Sequence, residues 1–442
     1  MNPSLRTDLA RRAALVSALA ARFVPGFQGQ TLPGRIALAI DPDFLSHRHA
    51  KGLATRSIVV TGTNGKTTTT AFVRALLGPT ALANRGSNLP WGVATVLAKG
   101  DGHAPGAVFE VDEAYVPSVA TSLAPAVLVW LNMSRDQLDR NLEVRRLAAR
   151  IAESAAVIET VVANASDPLI VANANHFRRS IWVKGPEGWH QDAQSCPRCT
   201  GELTYESQWR CEGCGLSEPQ ADYEVDEQGR VRARGISLGV LDPGLPGGFN
   251  LLNALMAAVA VGEATGRPIG ELIGRVSVST GVDGRFGTWW LTKLATTPSL
   301  VTYLAKNPAG WHANLSLIGA LEGELMLGLN ARVADGRDTS WIWDVDFEAL
   351  YGSRSSARVI ATGERATDLA LRLEVAGFDV TVVSSQVEAL RLAAHRQGSV
   401  DLTGSVGGNR ILYLGNYTAF RALVSELETL GAIPEVGAEV VS

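Results

Sequence analysis

Residues Thr61-Gly62-Thr63-Asn64-Gly65-Lys66-Thr67-Thr68 follow the apolar run Ser57-Ile58-Val59-Val60 and precede a stretch with helical periodicity. A strand that turns through glycines into a helix leaves the first backbone N–H groups of that helix pointing at one spot, the arrangement that cradles nucleotide phosphates. The residue types agree with that use. Gly62 and Gly65 let the backbone approach, Lys66 supplies charge, and the Thr67 hydroxyl can reach Mg²⁺. Gly62, Thr63, Asn64, Gly65, Lys66, Thr67 and Thr68 are therefore the candidate residues for ATP or a close relative of it. A chance glycine-rich loop would not bring the strand context, the lysine and the hydroxyl run together.

At 442 residues the chain exceeds what one core usually organises, so two or three domains are expected. A net charge of −4 gives no electrostatic case for nucleic-acid binding. The stretch Leu9 to Val24 is Ala-rich, but Arg11, Arg12 and Arg22 interrupt it, so it fits neither a signal peptide nor a membrane span. It reads as an amphipathic helix on a cytoplasmic protein.

All four cysteines sit together. Cys196-Pro-Arg-Cys199 and Cys211-Glu-Gly-Cys214 form two C-x-x-C knuckles, with Gly215 after the second. Tetrahedral Zn²⁺ takes four thiolates from two tight turns, and a site filled by four cysteines leaves no position for a reacting water. The expectation is a structural zinc; a disulfide is the alternative, disfavoured in a reducing compartment. Gly201 to Tyr205 and Gln208 to Arg210 read as a short hairpin between the knuckles, making a zinc ribbon. Few basic residues surround it, so the ribbon reads as scaffold rather than a nucleic-acid reader.

Strand-like runs at 57–61, 106–111, 126–132 and 157–164 alternate with helical stretches, which predicts a mostly parallel sheet with ligands at the carboxyl ends of its strands. Glu110, Asp112 and Glu113 end one such strand, Leu131 to Arg140 follows another, and Asn164-Ala-Ser-Asp-Pro168 ends a third. A break is expected near Gly281 to Gly287, after the helix that begins at Phe249. Beyond it, strand-like 315–318, 325–329, 359–361, 380–383 and 411–414 alternate with helical 366–376 and 386–396, giving a second, smaller α/β domain of Rossmann type.

A strict phosphate loop has a glycine where this chain has Val60, and the compressed turn resembles the Mur ligase and folylpolyglutamate synthase superfamily. The resemblance extends through the motif order. It runs from the loop through Glu110, Leu131-Asn132 with Asp136-Gln-Leu-Asp-Arg140, Asn164-x-x-Asp167-Pro168, Gly247-x-x-Asn250-x-x-Asn253-Ala254 and Gly284-Arg285 to Asn307-Pro308. The superfamily's N-terminal UDP-binding domain is missing, since only about fifty residues, including Thr31 to Leu38, precede the loop. Two features are added, the four-cysteine insertion and the segment Asp335 to Asp344. On that combination the chain is identified as a member of the MurT family, the Mur ligase-like subunits of lipid II isoglutaminyl synthases. The resemblance implies an N-terminal segment 1–50 packing on a central P-loop ATPase domain of Mur ligase type at 51–284, with a four-cysteine zinc ribbon near 190–220 inserted in it. A Rossmann-like C-terminal domain at 285–442 follows.

The implied reaction is ATP-dependent amidation, through an acyl phosphate, of the α-carboxylate of D-glutamate in the lipid II stem peptide. Lys66 and the loop N–H groups would hold the β- and γ-phosphates, and Thr67 with Glu110 the Mg²⁺, although a strand-end carboxylate can also be mere surface. Gln137 stands where the family usually has a histidine ligand, which puts a second Mg²⁺ in doubt. Asn250 and Asn253 would contact adenine, with helix capping as their alternative role. Arg285, Lys306 and Asn307 would reach the nucleotide from the second domain, and Asn84 to Asn88 would line the acceptor side.

With every cysteine in a metal-like knuckle, no thiol is left for a glutaminase. The resemblance supplies a GatD-like glutamine amidotransferase as a heterodimer partner, its Cys-His pair completed by an aspartate of this chain. Asp335, Asp338, Asp344 and Asp346 are the candidates, Asp338 and then Asp344 favoured. Trp341 and Trp343 alternate in strand fashion and face either that partner or the core. The expected setting is cytoplasmic, at the inner face of the membrane that carries lipid II. A stand-alone amino-acid ligase of the Mur or folylpolyglutamate type is the rival reading, as is a zinc-ribbon protein that binds nucleic acid.

Overall fold

The computed structural model describes residues 3–21, 31–49, 57–100, 104–135, 143–186, 191–206, 208–277, 286–294, 298–354, 357–398 and 410–434. The chain divides into two compact units, one of residues 1–134 and 142–278, the other of 135–141 and 279–442.

The first unit is built on a nine-stranded sheet. Its parallel part contains β1 (Ser57–Thr61), β2 (Leu82–Ala83), β3 (Ala107–Glu110), β4 (Val127–Trp130), β5 (Thr160–Asn164) and β6 (Arg179–Lys184). Two short strands, β7 (Leu203–Tyr205) and β8 (Trp209–Cys211), pair as a separate antiparallel hairpin. Three more, β9 (Tyr223–Val225), β10 (Arg230–Ala233) and β11 (Ile236–Val240), extend the sheet, whose order is β11-β10-β9-β6-β5-β4-β1-β3-β2. β1 is buried at every position, as a central parallel strand covered on both faces must be. Its residues alternate between two cores: Val59 packs with Phe109, Leu128 and Trp130, whereas Ile58 and Val60 pack with Val108, Val129 and the helix Gly248–Thr265. Ala10, Ala14, Ala37 and Phe44 of the N-terminal helices lie in the first of these cores. Among the described residues no helix is long and apolar enough to cross a membrane.

The second unit holds a seven-stranded sheet in the order β16-β15-β14-β17-β13-β12-β18. Its strands are β12 (Phe286–Leu291), β13 (Ser299–Leu304), β14 (Glu324–Gly328), β15 (Arg358–Thr362), β16 (Asp379–Val382), β17 (Arg410–Gly415) and β18 (Ala432–Pro434). β13 to β17 pair in parallel, and β12 runs antiparallel to both β13 and β18.

Two expectations fail here. Residues 315–318 are not a strand but part of the helix Pro308–Gly319, which Asn307 caps by accepting the Gly310 N–H at 2.9 Å. Trp341 and Trp343 do not alternate across a strand but lie in a 3₁₀ turn, Ser340–Asp344, where Trp341 packs edge-on against the buried Trp311 and Trp343 stays 51% exposed. The structure also adds β2, β6, β9 to β13 and β18, for which the sequence reading assigns no strand.

Candidate nucleotide site and four-cysteine centre

The phosphate loop starts where β1 ends, between β3 and β4, with Val60 paired to Glu110 and Thr61 to Trp130. Its two glycines are required by geometry. Gly62 has φ +135°, and a Cβ there would lie 2.9 Å from the Asn132 backbone nitrogen. Gly65 has φ +85°, and a Cβ there would lie 2.8 Å from Asn253 Oδ1. Left-handed backbone and close approach together exclude side chains. Gly62→Ala is accordingly expected to destabilise the fold by about 1–3 kcal/mol, measured as a lower midpoint in denaturant titration.

Lys66 opens the helix Lys66–Leu77 and folds back over the loop. Its Nζ donates to Gly62 O at 2.5 Å, to Thr63 O at 3.2 Å and to Glu113 Oε2 at 3.1 Å. The Thr67 hydroxyl donates to Glu110 Oε2 at 2.9 Å. Glu110 is fixed from behind, because Asn84 Oδ1 accepts its N–H at 2.8 Å and Asn84 Nδ2 donates to its carbonyl at 2.7 Å. Asn84 Nδ2 also donates to Ser87 O, and Asp112 N–H donates to Asn88 O, so the loop 84–88 is tied to the carboxylate segment. A hydroxyl and a carboxylate converging at a glycine-lined helix start form a donor set suited to Mg²⁺, a hard cation that takes oxygen ligands.

The opposite wall is the segment after β4. Asn132 Oδ1 accepts the Asn64 N–H at 2.8 Å while its Nδ2 donates to Asn64 O at 3.0 Å, and Thr63 Oγ1 exchanges hydrogen bonds with the backbone of Ser134. Asp167, at the start of the helix Pro168–Ala174, accepts the Met133 N–H on Oδ2 at 2.7 Å and the Leu169 and Ile170 N–H groups on Oδ1. Burial pushes its carboxyl up to about 6, while the three backbone donors pull the other way.

Asn253 covers Gly65, whereas Asn250 donates to Pro246 O at 2.6 Å in the lead-in to its own helix. Neither asparagine is that helix's N-cap, which is Gly247. Lys306 and Asn307 belong to the second unit, where Asn307 is the helix cap already described. Arg285, Gln137 and the rest of 136–140 lie outside the described residues. Sequence reasoning missed the Lys66–Glu113 pair and the roles of Asn132 and Asp167, since each joins segments far apart in the chain.

The four cysteine Sγ atoms lie within 4.8 Å of one another, with Cys196–Cys214 at 3.6 Å and Cys199–Cys211 at 3.5 Å. Those separations are far too long for a disulfide. They are close to the ~3.8 Å that four sulfurs at zinc–thiolate distance adopt around one ion. β7 and β8 form the hairpin between the knuckles, and Leu203, Trp209, Leu216, Val171 and Ala193 pack against Cys196 and Cys211.

Residues 60–261 match the Mur ligase middle domain and residues 304–420 the MurT ligase C-terminal family. Over 390 residues the chain is 31% identical to the lipid II isoglutaminyl synthase (glutamine-hydrolyzing) subunit MurT of Staphylococcus aureus (strain COL), covering 81% of this chain and 85% of that one. The chain belongs to the MurT family. The corresponding MurT subunit of Streptococcus pneumoniae (strain ATCC BAA-255 / R6) is 32% identical over 383 residues, covering 79% of this chain and 83% of that one. Among solved structures, MurF from Acinetobacter baumannii aligns with a TM-score of 0.63 at 15% identity, over 89% of this chain and 80% of that one, which establishes the Mur ligase-like α/β fold.

In this MurT-family chain the second unit carries the four candidate aspartates, and the structure separates them. Asp335 is buried and accepts from the Thr418 N–H and hydroxyl and from Arg332 N–H. Asp346 caps the helix Phe347–Ser353 through the Ala349 N–H. Asp344 is exposed and pairs with Arg135 at 3.3 Å. Asp338, also exposed, accepts the Ser340 N–H at 2.8 Å, a bond that holds its carboxyl below the usual range.

Proposed function

We propose that this chain is the ligase subunit of a lipid II isoglutaminyl synthase, which amidates the α-carboxylate of D-glutamate in the stem peptide with hydrolysis of ATP. The observation that carries this reading is the convergence of Lys66, Thr67 and Glu110 on a glycine-lined helix start in a chain similar to MurT subunits over four-fifths of its length. A carboxylate is a poor electrophile at neutral pH. Its oxygen therefore attacks the γ-phosphorus of ATP first, giving an acyl phosphate and ADP; ammonia then adds to the acyl carbon and phosphate leaves. In phosphoryl transfer the protein's work is positioning and charge stabilisation. Lys66 would move from the loop carbonyls and Glu113 to the phosphates, the loop N–H groups would hold the same oxygens, and Thr67 with Glu110 would hold Mg²⁺. That ion, when bound, would supply positive charge that offsets the negative charge of the phosphates.

The four cysteines are gathered in one cluster and none stands apart as a nucleophile, so ammonia comes from a partner, which the similarity to glutamine-hydrolyzing synthase subunits implies is a GatD-like glutaminase. The substrate is lipid-linked, so the reaction takes place at the inner face of the membrane on an enzyme held in the cytoplasm. Co-expression with the candidate glutaminase tests the reading. Glutamine-dependent ATP turnover coupled to conversion of the D-glutamate α-carboxylate to an amide is the expected result. ATP turnover that instead joins an amino acid to the acceptor, without a partner, would replace it with a stand-alone ligase.

The four-cysteine centre is assigned to structural Zn²⁺, since four thiolates close a tetrahedral site. Metal analysis of the purified protein is expected to find one zinc ion per chain. Cys199→Ser is expected to lower thermal stability more than it lowers turnover per folded molecule at saturating ATP. Metal-free protein of unchanged stability would remove the assignment.

A further inference from the structure

The phosphate loop leans on a chain of contacts that begins at the four-cysteine ribbon. Trp209 lies on β8, two residues before Cys211, and is 1% exposed. Its indole N–H donates to Ala165 O at 3.2 Å, in the turn that follows β5. That turn fixes the next segment from two points. Asn164 Nδ2 donates to Leu131 O at 2.9 Å, and Asp167 Oδ2 accepts the Met133 N–H at 2.7 Å. Residues 131–134 belong to no helix or strand; the Leu131 N–H still donates to Thr61 O at 3.0 Å, and beyond it the segment takes its backbone anchors from this turn and from the phosphate loop. They in turn grip the phosphate loop, through Asn132 on Thr63 and Asn64 and through the exchange between Ser134 and Thr63.

Asp167 is the keystone of this path. It is 8% exposed, and an ionised carboxylate that accepts three backbone N–H groups makes stronger, more directional bonds than a neutral group would. We propose that Asp167 is a positioning residue for the nucleotide site, and that Trp209 makes the geometry of the phosphate loop depend on the loaded four-cysteine ribbon. The ribbon then does more than hold itself together. It sets the turn 164–167, the turn sets 131–134, and 131–134 sets the backbone of Thr63 and Asn64 that faces the phosphates. This rests on the reading of that loop as the nucleotide site.

The experiment measures equilibrium binding of a fluorescent ATP analogue, and KM and kcat for ATP, in the complex with the glutaminase. The variants are Trp209→Phe, Asp167→Asn, Thr63→Val, the double variant of Trp209 and Thr63, and Lys66→Ala. Trp209→Phe removes one hydrogen-bond donor and is expected to keep its metal and its folded state while weakening ATP binding about three- to tenfold, the scale of one net hydrogen bond. The KM for ATP rises by the same factor, with kcat and the KM for the acceptor unchanged. Asp167→Asn loses the acceptor for Met133 N–H and is expected to weaken binding more than about tenfold. The Trp209 and Thr63 effects combine less than additively, because both act on one path. An unchanged ATP affinity in Trp209→Phe, an additive double variant, or loss of metal in Trp209→Phe overturns the relay. Should Lys66→Ala bind ATP like wild type, the loop is not the nucleotide site and the proposed function falls with the relay. Loss of binding in Lys66→Ala alone sinks only the relay.

Discussion

Lys66→Ala is expected to reduce ATP-dependent amidation at least about a hundredfold while leaving the glutaminase complex intact, the scale typical for loss of a preorganised charge in a transition-state site. Two effects add. The substitution removes the ammonium proposed to move onto the phosphates, and it strands Glu113, whose side chain is 10% exposed and whose carboxylate is 3.1 Å from Lys66 Nζ. A buried carboxylate without its cation repels incoming phosphate as well as losing its own stabilisation. The double variant Lys66→Ala with Glu113→Gln therefore recovers nucleotide affinity without recovering rate, which separates repulsion from lost catalysis. Isothermal titration with ATP and Mg²⁺ alongside an amidation assay reads both. Residual amidation above a few per cent of wild type would mean that Lys66 is not at the transferred phosphoryl group.

The contrast between Lys66 and Glu113 shows what a sequence carries. The strand, turn and helix around Lys66 are contiguous, and each residue type there answers a local demand: Gly62 and Gly65 for backbone approach, the threonines for donors. The two C-x-x-C knuckles are equally local, and four thiols within 4.8 Å follow from a hairpin only a few residues long. Glu113, by contrast, lies 47 residues from Lys66, and its pairing depends on β3 lying beside β1. Asp167 and Met133 meet across β4 and β5 in the same way. No spacing announces either contact. The misread segments fail for another reason. Leu315 to Ile318 is too short for its apolar run to choose between periods of two and 3.6. The Asn307-Pro308 pair just upstream, a helix cap followed by a first-turn proline, is the available signal, and assigning it to the nucleotide alone hides the helix it starts. Trp341 and Trp343 are two residues apart, but a 3₁₀ turn with a period of three places one against Trp311 and the other over Arg372.

Asp338→Asn is expected to lower glutamine-dependent amidation by about 10²- to 10⁴-fold and to leave amidation driven by high external ammonia at the wild-type rate. The magnitude follows from aspartates that orient a catalytic histidine, where loss of the charge misdirects the imidazole without moving it. Of the four aspartates in this region, Asp335 is consumed by Thr418 and Arg332, and Asp346 by the cap of its helix. Asp344 has Arg135 as a counter-charge. Asp338 presents an exposed carboxylate whose orientation is set by the Ser340 N–H and whose ionised form that bond favours. Asparagine keeps the Oδ1 acceptor, so the turn survives and only the charge is lost. The proposed ligase residues Lys66, Thr67 and Glu110 belong to the other compact unit, where Thr67 and Glu110 keep their own contact. Running both nitrogen sources on one preparation separates the outcomes: if both rates fall together, Asp338 serves folding or the ligase reaction, and if neither falls, the role passes to Asp344 or leaves this chain.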